Sequence, residues 1–308
     1  MLYSIVIPVY NSEKIIEKTI SKTIDFFNRN KLEFELILIN DGSKDKVWQK
    51  LKTLAEQNKK IIAINFLKNY GQHTAVMCGI THGTGDYFIT MDDDLQNPPE
   101  EIIKLIEKIN EGYDVVFGKF PVKHHGLARK IGSKIIGYLN SKIFNKPNHI
   151  TLSNFRIFNK AVAERIKNFK TSYPYIPGLL LLHSSSIANV YTEHLPRESG
   201  KSNYSLFTII KLVSRLLFNY SSYPLNLLAS FGFIFSFFSF VAGAAYIIKS
   251  VFLGTNVQGW TTIVVLLSFL NGFIIIMLGV LGEYVARIMN QLSVGNSYHI
   301  QEIINNEK

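Results

Sequence analysis

The chain has 308 residues, a formal net charge of +10 and a hydrophobic content of 47%. This length suits one large domain or a domain with an appendage, and the positive charge favours an anionic partner such as nucleic acid, a phosphate ligand or an anionic membrane surface. The single cysteine, Cys78, excludes an internal disulfide framework and a cysteine zinc cluster.

Short apolar runs separated by helical stretches fill the N-terminal half. The first run, YSIVIPV, begins at residue 3 without a preceding basic region and long apolar stretch, so we expect no signal peptide. The runs FELILIN, IIAINFL, DYFITMD and DVVFG follow, and helical stretches at about 12–29, 45–58 and 71–83 separate the first four runs. This alternation predicts an α/β fold, with a mainly parallel sheet and helices on both faces.

Polar side chains follow each of the first four predicted strands. The first strand ends in Pro8, Tyr10 and Asn11, the second in Asn40 to Ser43 and the fourth in Asp92 to Asp94, and the third runs into Lys68 to Gln72. Because ligands bind at the carboxyl ends of the strands in an open parallel α/β sheet, these ends predict a ligand site at one edge of the sheet. Solvated loops are the alternative, but they explain four such ends less well than one.

The segment MDDDLQNPPE at 91–100 carries three consecutive aspartates. Asp92 and Asp94 are two apart in an extended segment, so we expect both side chains on the same side, and Gln96 adds a neutral oxygen two residues later. Two carboxylates with an amide oxygen suit Mg²⁺ or Mn²⁺ and leave open positions for the oxygens of a diphosphate. In isolation, an acidic triplet would equally suit a solvated turn.

The end of the same segment has the pattern of a helix start. Asn97 is predicted as the N-cap, with Pro98 at the first helical position and Glu100 at the third, which is a capping-box arrangement. Asp93 is predicted to point away from its two acidic neighbours.

Two basic amphipathic stretches follow. In 127–144, the apolar residues Leu127, Ile131, Ile135, Leu139 and Ile143 interleave with Arg129, Lys130, Lys134 and Lys142. In 206–218, Lys211 and Arg215 interrupt an apolar helical pattern. Beside membrane spans, such helices suit an anionic lipid surface, and ordinary amphipathic core helices are the alternative.

Two long runs near the C-terminus, 225–248 and 260–282, contain no charged residue. At 1.5 Å per residue each forms a helix of roughly 35 Å, enough to cross a bilayer core of about 30 Å. Only Lys249 lies in the link, whereas Arg215 and further lysines precede the pair and Arg287 follows it. The positive-inside rule therefore predicts a transmembrane hairpin with both termini in the cytoplasm, and two buried core helices are the alternative.

These patterns predict the domain organisation. We expect a cytoplasmic domain with the predicted ligand site at 1–205 that includes the interfacial helix 127–144, a juxtamembrane amphipathic helix at 206–223, two transmembrane helices within 224–285 and a cytoplasmic tail at 286–308. Because the basic residues concentrate near the spans and no nucleic-acid-binding motif is recognised, we expect a membrane and no nucleic acid as partner.

Several motifs, in chain order, resemble glycosyltransferase family 2. They are IVIPVYN, NDGS, NYGQHTAVMCGI, GTGDY and DDDLQNPPEEI. The two apolar runs and RESGKSNYS at 197–205 narrow the resemblance to the polyprenyl-phosphate glycosyltransferases, and within them to transferases that use undecaprenyl phosphate. The resemblance covers nearly the whole chain and implies the GT-A fold, which is Rossmann-like, with the C-terminal two-helix transmembrane hairpin.

The resemblance also implies roles for individual residues. Positions near the nucleotide are matched by Pro8, Tyr10, Asn11, Asp41, Asn69 and Gln72, to which we add Asp92 and Asp93, and we expect Asp93 near the sugar or the nucleotide ribose. The metal and diphosphate motif is matched by Asp92, Asp94 and Gln96. The positions that hold the lipid phosphate are matched by Arg129, Ser133, Arg197 and Ser202. The implied catalytic residues are Asp92, Asp94, Arg129 and Arg197.

The implied activity is inverting transfer of a sugar from a nucleotide-diphosphate sugar to undecaprenyl phosphate, with Mg²⁺ or Mn²⁺, at the bacterial inner membrane. The resemblance favours uridine over guanosine in the donor and implies a homo-oligomer, such as a tetramer. Three positions depart from relatives: Asn40–Asp41 stands where some have an acidic pair, Asn203 where many have lysine, and Asn154 nearest an aspartate proposed as a base.

Three other functions compete with this interpretation. A mannosyltransferase that uses GDP-mannose and a polyprenyl phosphate would share the same motifs. A processive polysaccharide synthase would add acceptor motifs and spans that this sequence lacks. A non-catalytic membrane scaffold could keep the fold, but the intact Asp92, Asp94 and Gln96 argue against it.

Overall fold

The computed structural model describes residues 1–120, 127–169, 171, 173–196, 206–253, 259–293 and 298–305, and gives only the backbone at 127–134 and at some positions of the last three helices. The chain divides into two compact units. Unit 1 comprises Met1–Ile210 and Val294–Lys308, and unit 2 comprises Lys211–Ser293.

A single sheet organises the described part of unit 1. Its strands are β1 (Leu2–Val9), β2 (Glu33–Asn40), β3 (Ile61–Phe66), β4 (Tyr87–Thr90), β5 (Val115–Lys119), β6 (Arg156–Asn159), β7 (Ile187–Tyr191) and β8 (Ile300–Ile304). They lie in the order β7-β5-β6-β4-β1-β2-β3-β8. Four of the seven neighbouring pairs are parallel, so the predicted mainly parallel α/β sheet is confirmed.

The helices of unit 1 connect and cover these strands. They are α1 (Ile16–Arg29), α2 (Val47–Gln57), α3 (Gln72–His82), α4 (Ile102–Ile109), α5 (Leu127–Phe144), α6 (Lys160–Lys167) and α7 (Ile176–His183), and α8 (Leu206–Tyr220) leads into unit 2. The predicted helices at 12–29, 45–58 and 71–83 correspond to α1, α2 and α3, with ends that differ by at most a few residues.

Alternation along β1 explains why helices cover both faces of the sheet. Tyr3, Ile5, Ile7 and Val9 belong to one buried cluster with the apolar residues of α1, α2 and α4. The intervening residues face α3, where a Cβ added to Gly79 would lie 2.3 Å from Val6 Cγ1. Glycine at this position lets α3 approach the sheet closely, and the two faces together explain why the central strands are apolar throughout.

The C-terminal segment returns to the sheet. Strand β8 pairs antiparallel with β3 and forms one edge of the sheet. Asn305 donates to the carbonyl oxygens of Asn58 and Ile61, and Trp48 Nε1 donates to Glu302 over 3.2 Å. The segment 286–308, predicted as a cytoplasmic tail, thus contains a strand at Ile300–Ile304. Sequence reasoning missed it because Gln301 and Glu302 interrupt its apolar pattern and its partner β3 lies far away in the chain.

Unit 2 consists of helices. Helix α9 spans Tyr223–Leu253 and α10 spans Trp260–Ser293. Gly232 of α9 lies against Met277 of α10, and Tyr284 donates to the Ser221 carbonyl, so the two helices run antiparallel. Among the described residues, Phe269–Ala286 is long and apolar enough to cross a membrane and is exposed, whereas Tyr223–Ile234 is a shorter apolar stretch. Of the two predicted spans, 260–282 thus overlaps a candidate, while 225–248 stays a prediction.

Candidate active site

The candidate site lies where the strand order reverses. Strands β2 and β3 follow β1 on one side, whereas β4 lies on the other side, which makes the β1–β4 boundary a topological switch point. Val6 pairs with Thr90, so the carboxyl ends of the two parallel strands lie at the same level. Open α/β sheets bind ligands in the crevice outside such a boundary. The acidic segment after β4 begins there.

Asp93 connects the two strand ends. Its Oδ2 accepts a hydrogen bond from the Ser12 hydroxyl and another from the Tyr10 N–H at 3.3 Å. Burial raises the pKa of Asp93 to about 6, although the hydrogen bonds from Ser12 and Tyr10 oppose the increase. Asp93 lies in a turn and not in the predicted extended segment, and its carboxylate already serves the loop after β1. Its contact with the sugar or ribose stays a prediction.

Asp92 lies between two amide side chains. Gln72 Nε2, at the start of α3, lies 2.5 Å from Asp92 Oδ1, and Asn154 Nδ2 lies 3.5 Å from both carboxylate oxygens. Burial raises the pKa of Asp92, the nearby Asp94 raises it further, and the hydrogen bonds and a buried arginine oppose the shift. Three predicted site residues, Gln72, Asp92 and Asp94, are thus close together.

Asp94 and Gln96 form a local turn. Asp94 Oδ1 accepts the Gln96 N–H at 3.1 Å, and Leu95 between them has φ +56°. Gln96 also pairs with the segment after β7, because its backbone carbonyl accepts the Leu195 N–H at 2.8 Å and its side-chain amide donates to the Leu195 carbonyl at 3.2 Å. Only the carbonyl oxygen of that amide could therefore act as a ligand.

The predicted capping box after this turn is wrong. The helical segment starts with a 3₁₀ turn at Pro99–Glu101, and Pro98 precedes it in an extended conformation with ψ 135°. Because the residue before a proline is disfavoured from helical conformation, Pro98 cannot begin the helix when Pro99 follows. Asn97 is buried, and among the described residues its Oδ1 has no hydrogen-bond partner.

Asp41 organises the loop after β3. Its Oδ1 accepts the Tyr70 N–H at 2.7 Å and its Oδ2 accepts the Gly71 N–H at 2.9 Å. Asn69 Nδ2 donates to the Asp41 backbone carbonyl at 3.1 Å. Burial raises the pKa of Asp41 to about 6, and the two backbone hydrogen bonds oppose the increase. Asp41 and Asn69 therefore act together at the ends of β2 and β3.

The three predicted residues of the first strand end differ in exposure. Pro8 is buried within β1, whereas Tyr10 and Asn11 are exposed. Asn11 has φ +54°, a left-handed conformation that asparagine tolerates better than most residues, and its Oδ1 accepts the Lys44 N–H at 2.8 Å. Tyr10 and Asn11 are thus presented at the same edge as the acidic segment.

Arg156 is a residue that sequence reasoning missed. It is fully buried on β6, paired with Thr90 of β4, and its Nε donates to Thr90 Oγ1 at 2.9 Å. Burial lowers the pKa of Arg156 to about 10, and the charge of Asp92 opposes the decrease. The only available signal was a lone arginine between apolar residues in NFRIF.

The structure describes no side chain among the four predicted lipid-phosphate residues. Arg129 and Ser133 lie in α5, whose backbone confirms a helix there, but their side chains are outside the described residues. Arg197 and Ser202 lie outside the described residues altogether. The roles of these four residues stay predictions.

Comparison with known proteins identifies the family. Residues 4–167 match the family model for glycosyl transferase family 2. The chain is 33% identical to an undecaprenyl-phosphate 4-deoxy-4-formamido-L-arabinose transferase of Photorhabdus laumondii, over 99% of this chain and 95% of the relative. It is 32% identical to the protein of the same name from Klebsiella pneumoniae, over 98% of this chain and 93% of the relative. An uncharacterized glycosyltransferase of Synechocystis is 30% identical over 97% of this chain and 95% of the relative.

Solved structures share the fold of the catalytic part. Glucosyl-3-phosphoglycerate synthase of Mycobacterium tuberculosis, in complex with Mn²⁺, UDP and phosphoglyceric acid, superposes with a TM-score of 0.52 at 16% identity, covering 70% of this chain and 76% of that one. This likeness concerns the fold alone. Together with the family match and the full-length relatives, it confirms the predicted fold class and enzyme class, and the chain belongs to glycosyltransferase family 2.

Proposed function

We propose that this glycosyltransferase transfers a sugar from a UDP-sugar to undecaprenyl phosphate, with inversion at the anomeric carbon. The product would be a lipid-linked monosaccharide for a cell-envelope glycan or for lipid A modification. The observation that carries the proposal is the near full-length similarity to the undecaprenyl-phosphate transferase of Photorhabdus laumondii, which extends beyond the family-model region through the C-terminal helices.

The donor side of the proposal rests on the strand ends. Tyr10, Asn11 and the Asp41–Asn69 pair surround the carboxyl ends of β1, β2 and β3, where an α/β sheet receives a nucleotide. Gln72 and Asp92, held together by a hydrogen bond, would face the diphosphate. UDP is proposed over GDP on the resemblance of the sequence motifs to undecaprenyl-phosphate transferases, a name that the two relatives carry.

The residues at the acidic turn fit a hard divalent cation. Asp92 and Asp94 provide carboxylate oxygens and Gln96 one amide oxygen, which are donors that Mg²⁺ and Mn²⁺ accept. The raised pKa of Asp92 reflects burial and the adjacent negative charge, a combination that a cation would relieve. When bound, Mg²⁺ or Mn²⁺ would stabilise the negative charge of the leaving diphosphate.

The acceptor needs positioning more than deprotonation. A phosphate monoester has a second pKa of about 6 and is largely ionised near neutrality. Its oxygen would attack the anomeric carbon and form a new C–O bond. The bond from that carbon to the diphosphate oxygen would break, and its electron pair would leave with UDP. Arg129 and Arg197 would hold the acceptor phosphate in line. Asn154, in place of an acidic base, is compatible with such a reaction.

Chain connectivity supports a membrane hairpin in this proposal. Both ends of unit 2 continue into unit 1, through Ile210 and through Val294. If unit 1 lies on one side of a bilayer, unit 2 must cross it an even number of times. Helices α9 and α10, at 31 and 34 residues, are each long enough for one crossing. The positive-inside rule then assigns unit 1 and both termini to the cytoplasm.

A donor panel tests the proposal. The full-length protein in lipid nanodiscs would be mixed with undecaprenyl phosphate, Mg²⁺ or Mn²⁺, and each of a set of labelled UDP- and GDP-sugars. We expect labelled lipid from at least one UDP-sugar and loss of the product on addition of EDTA.

Three results would change the conclusion. Product from GDP-mannose alone would identify a mannosyltransferase. Metal-dependent UDP binding with no turnover would support a non-catalytic scaffold. Folded protein that neither binds a nucleotide nor labels lipid would contradict the proposal altogether.

A further inference from the structure

Strand β8 carries a bulge next to the end of β3. Asn65 pairs with Glu302, but the next residue, Phe66, pairs with Ile300, which leaves Gln301 as the extra residue. A bulge interrupts the regular alternation and redirects a side chain, and such irregularities occur often beside active sites. The redirected side chain here is that of Gln301.

A chain of hydrogen bonds begins at this side chain and crosses the sheet. Gln301 Oε1 accepts from Asn65 Nδ2 at 3.2 Å, and Asn65 Oδ1 accepts from Asn40 Nδ2 at 2.7 Å. Asn40 Oδ1 accepts the Ser43 N–H at 3.3 Å, and Ser43 Oγ accepts the Asn11 N–H at 3.0 Å. The chain thus visits the ends of β8, β3, β2 and β1 in spatial order and finishes in the predicted nucleotide loop.

The central links of this chain are buried. Asn40 is 3% exposed and Asn65 is 8% exposed. A buried amide that loses one partner must find another or rotate, since leaving it unpaired is costly. Because Asn65 uses its carbonyl for Asn40 and its amino group for Gln301, the orientation of Asn40 depends on Gln301.

The backbone of the same segment supports a second part of the site. Leu67 N–H donates to the His299 carbonyl at 3.0 Å, directly before the loop that Asp41 holds. The Tyr298 ring stacks on Phe66 with centroids 5.0 Å apart. The C-terminal segment therefore supports both loops that are proposed to receive the nucleotide.

We infer that Gln301, supplied by the segment that follows the last helix of unit 2, is a positioning residue for donor binding. It acts through Asn65 and Asn40 on the loops after β1 and β2. The inference rests on the proposed function, because it assumes that these loops bind the nucleotide of the donor.

Substitution of Gln301 tests the inference in the full-length protein. Gln301→Met keeps the length of the side chain and removes the acceptor oxygen, whereas Gln301→Glu retains an acceptor. With UDP and Mn²⁺ as probe, calorimetry is expected to show roughly tenfold weaker binding for Gln301→Met. Gln301→Glu is expected to bind close to the wild-type protein. In the transfer assay, the KM for the donor should rise while the KM for undecaprenyl phosphate stays unchanged.

Glu302→Gln is the matched control. Glu302 lies next to Gln301 on β8, but it contacts Trp48 and Lys52 of α2 instead of the loops. We expect Glu302→Gln to change the melting temperature without changing UDP affinity.

The outcomes separate this inference from the proposed function. Wild-type UDP affinity in Gln301→Met would overturn the inference, and so would equal losses in Gln301→Met and Glu302→Gln, because strand docking alone would then explain them. Both results leave sugar transfer by the wild-type protein intact. A wild-type protein that binds no nucleotide would overturn the proposed function and the inference with it.

Discussion

Units 1 and 2 contain the same apolar residue types in opposite environments. Ile5 and Leu38 of unit 1 are fully buried, whereas Phe233 and Ile275 of unit 2 are 77% and 69% exposed. Unit 1 covers its apolar strands with its own helices, and it pairs polar groups at the strand ends. Unit 2 leaves many of its described apolar side chains exposed, which is unusual in contact with water. The difference teaches that composition alone does not distinguish a buried core from an exposed apolar surface.

The largest expected effect tests whether the polar strand ends of unit 1 carry the chemistry. Asp94→Ala is expected to lower kcat/KM roughly 1,000-fold, because charge stabilisation of the leaving diphosphate would be lost. Labelled-lipid formation at saturating Mn²⁺ measures it. Asp86→Ala is the matched control, since Asp86 lies at the opposite end of β4 and accepts the Leu2 N–H.

Asn154→Ala extends this test. It is expected to reduce the rate less than Asp94→Ala, because the ionised acceptor phosphate needs no base. An inactive Asn154→Ala enzyme, together with near-normal turnover by Asp94→Ala, would refute the proposed mechanism.

A pair of cavity-forming substitutions compares the two units directly. Leu38→Ala should lower the free energy of unfolding of unit 1 by about 3 kcal/mol, because it removes buried methyl groups from a packed core. Ile275→Ala should change stability by less than about 0.5 kcal/mol, because that side chain is exposed. During urea unfolding, fluorescence of Trp48 in a Trp260→Phe background reports on unit 1, and fluorescence of Trp260 in a Trp48→Phe background reports on unit 2. Equal destabilisation would mean that Ile275 packs against protein.

The pH dependence of stability tests the buried carboxylate of unit 1. The pKa of Asp41 is about 6 in the folded protein and 3.8 ordinarily, so the unfolded chain loses this proton first as pH rises. The nucleotide-free protein should therefore lose stability between about pH 4 and pH 6, by at most about 3 kcal/mol from this group. Asp41→Asn, which keeps an acceptor for Tyr70 and Gly71, should flatten the dependence in urea unfolding.

Asp114 provides a control of opposite sign. Burial raises its pKa, but hydrogen bonds from Ser185 and Ser186 outweigh burial and hold the pKa below its usual value. Asp114 therefore stabilises the fold at pH values above its ordinary pKa, and this stabilisation is lost as the pH falls. Asp114→Asn should remove stability at neutral pH. The pKa shifts assigned to Asp41 and Asp114 would be contradicted if the stability of the wild-type protein did not depend on pH and neither substitution changed that dependence.

The smallest expected effect concerns a close backbone approach in unit 1. A Cβ at Gly42, where φ is +63°, would lie 2.4 Å from the backbone of Lys68 and Asn69. Gly42→Ala should displace the loop that Asp41 holds and raise the donor KM roughly fivefold, without affecting the acceptor KM. Gly112→Ala is the control, because Gly112 also has positive φ, but a Cβ there meets nothing within 4 Å. Equal donor KM values in Gly42→Ala and Gly112→Ala would show that the close backbone contact at Gly42 has no effect on donor binding.

The hydrophobic pattern of the sequence predicted much of the fold. The alternation of apolar runs and helical stretches predicted β1 to β5 and α1 to α3, because central strands of a covered parallel sheet are apolar throughout. Strands β6, β7 and β8 are as short as β4 and β5, but polar residues such as Arg156, Asn189 and Glu302 leave them without a comparable apolar run. The error at Pro98 had a local cause, since the following Pro99 decides its conformation.

The candidate site also has features that the sequence predicted and features that only the structure shows. By itself, the sequence determined that Asp92, Asp94 and Gln96 follow a buried strand and that polar residues end its neighbours, because strand period and loop chemistry are local properties. Only the tertiary structure decided that Asp93 binds the loop after β1, that Asp41 holds Tyr70 and Gly71, and that Gln301 reaches Asn65. These contacts join residues 29 to 236 positions apart, and no local preference specifies which distant strand ends meet.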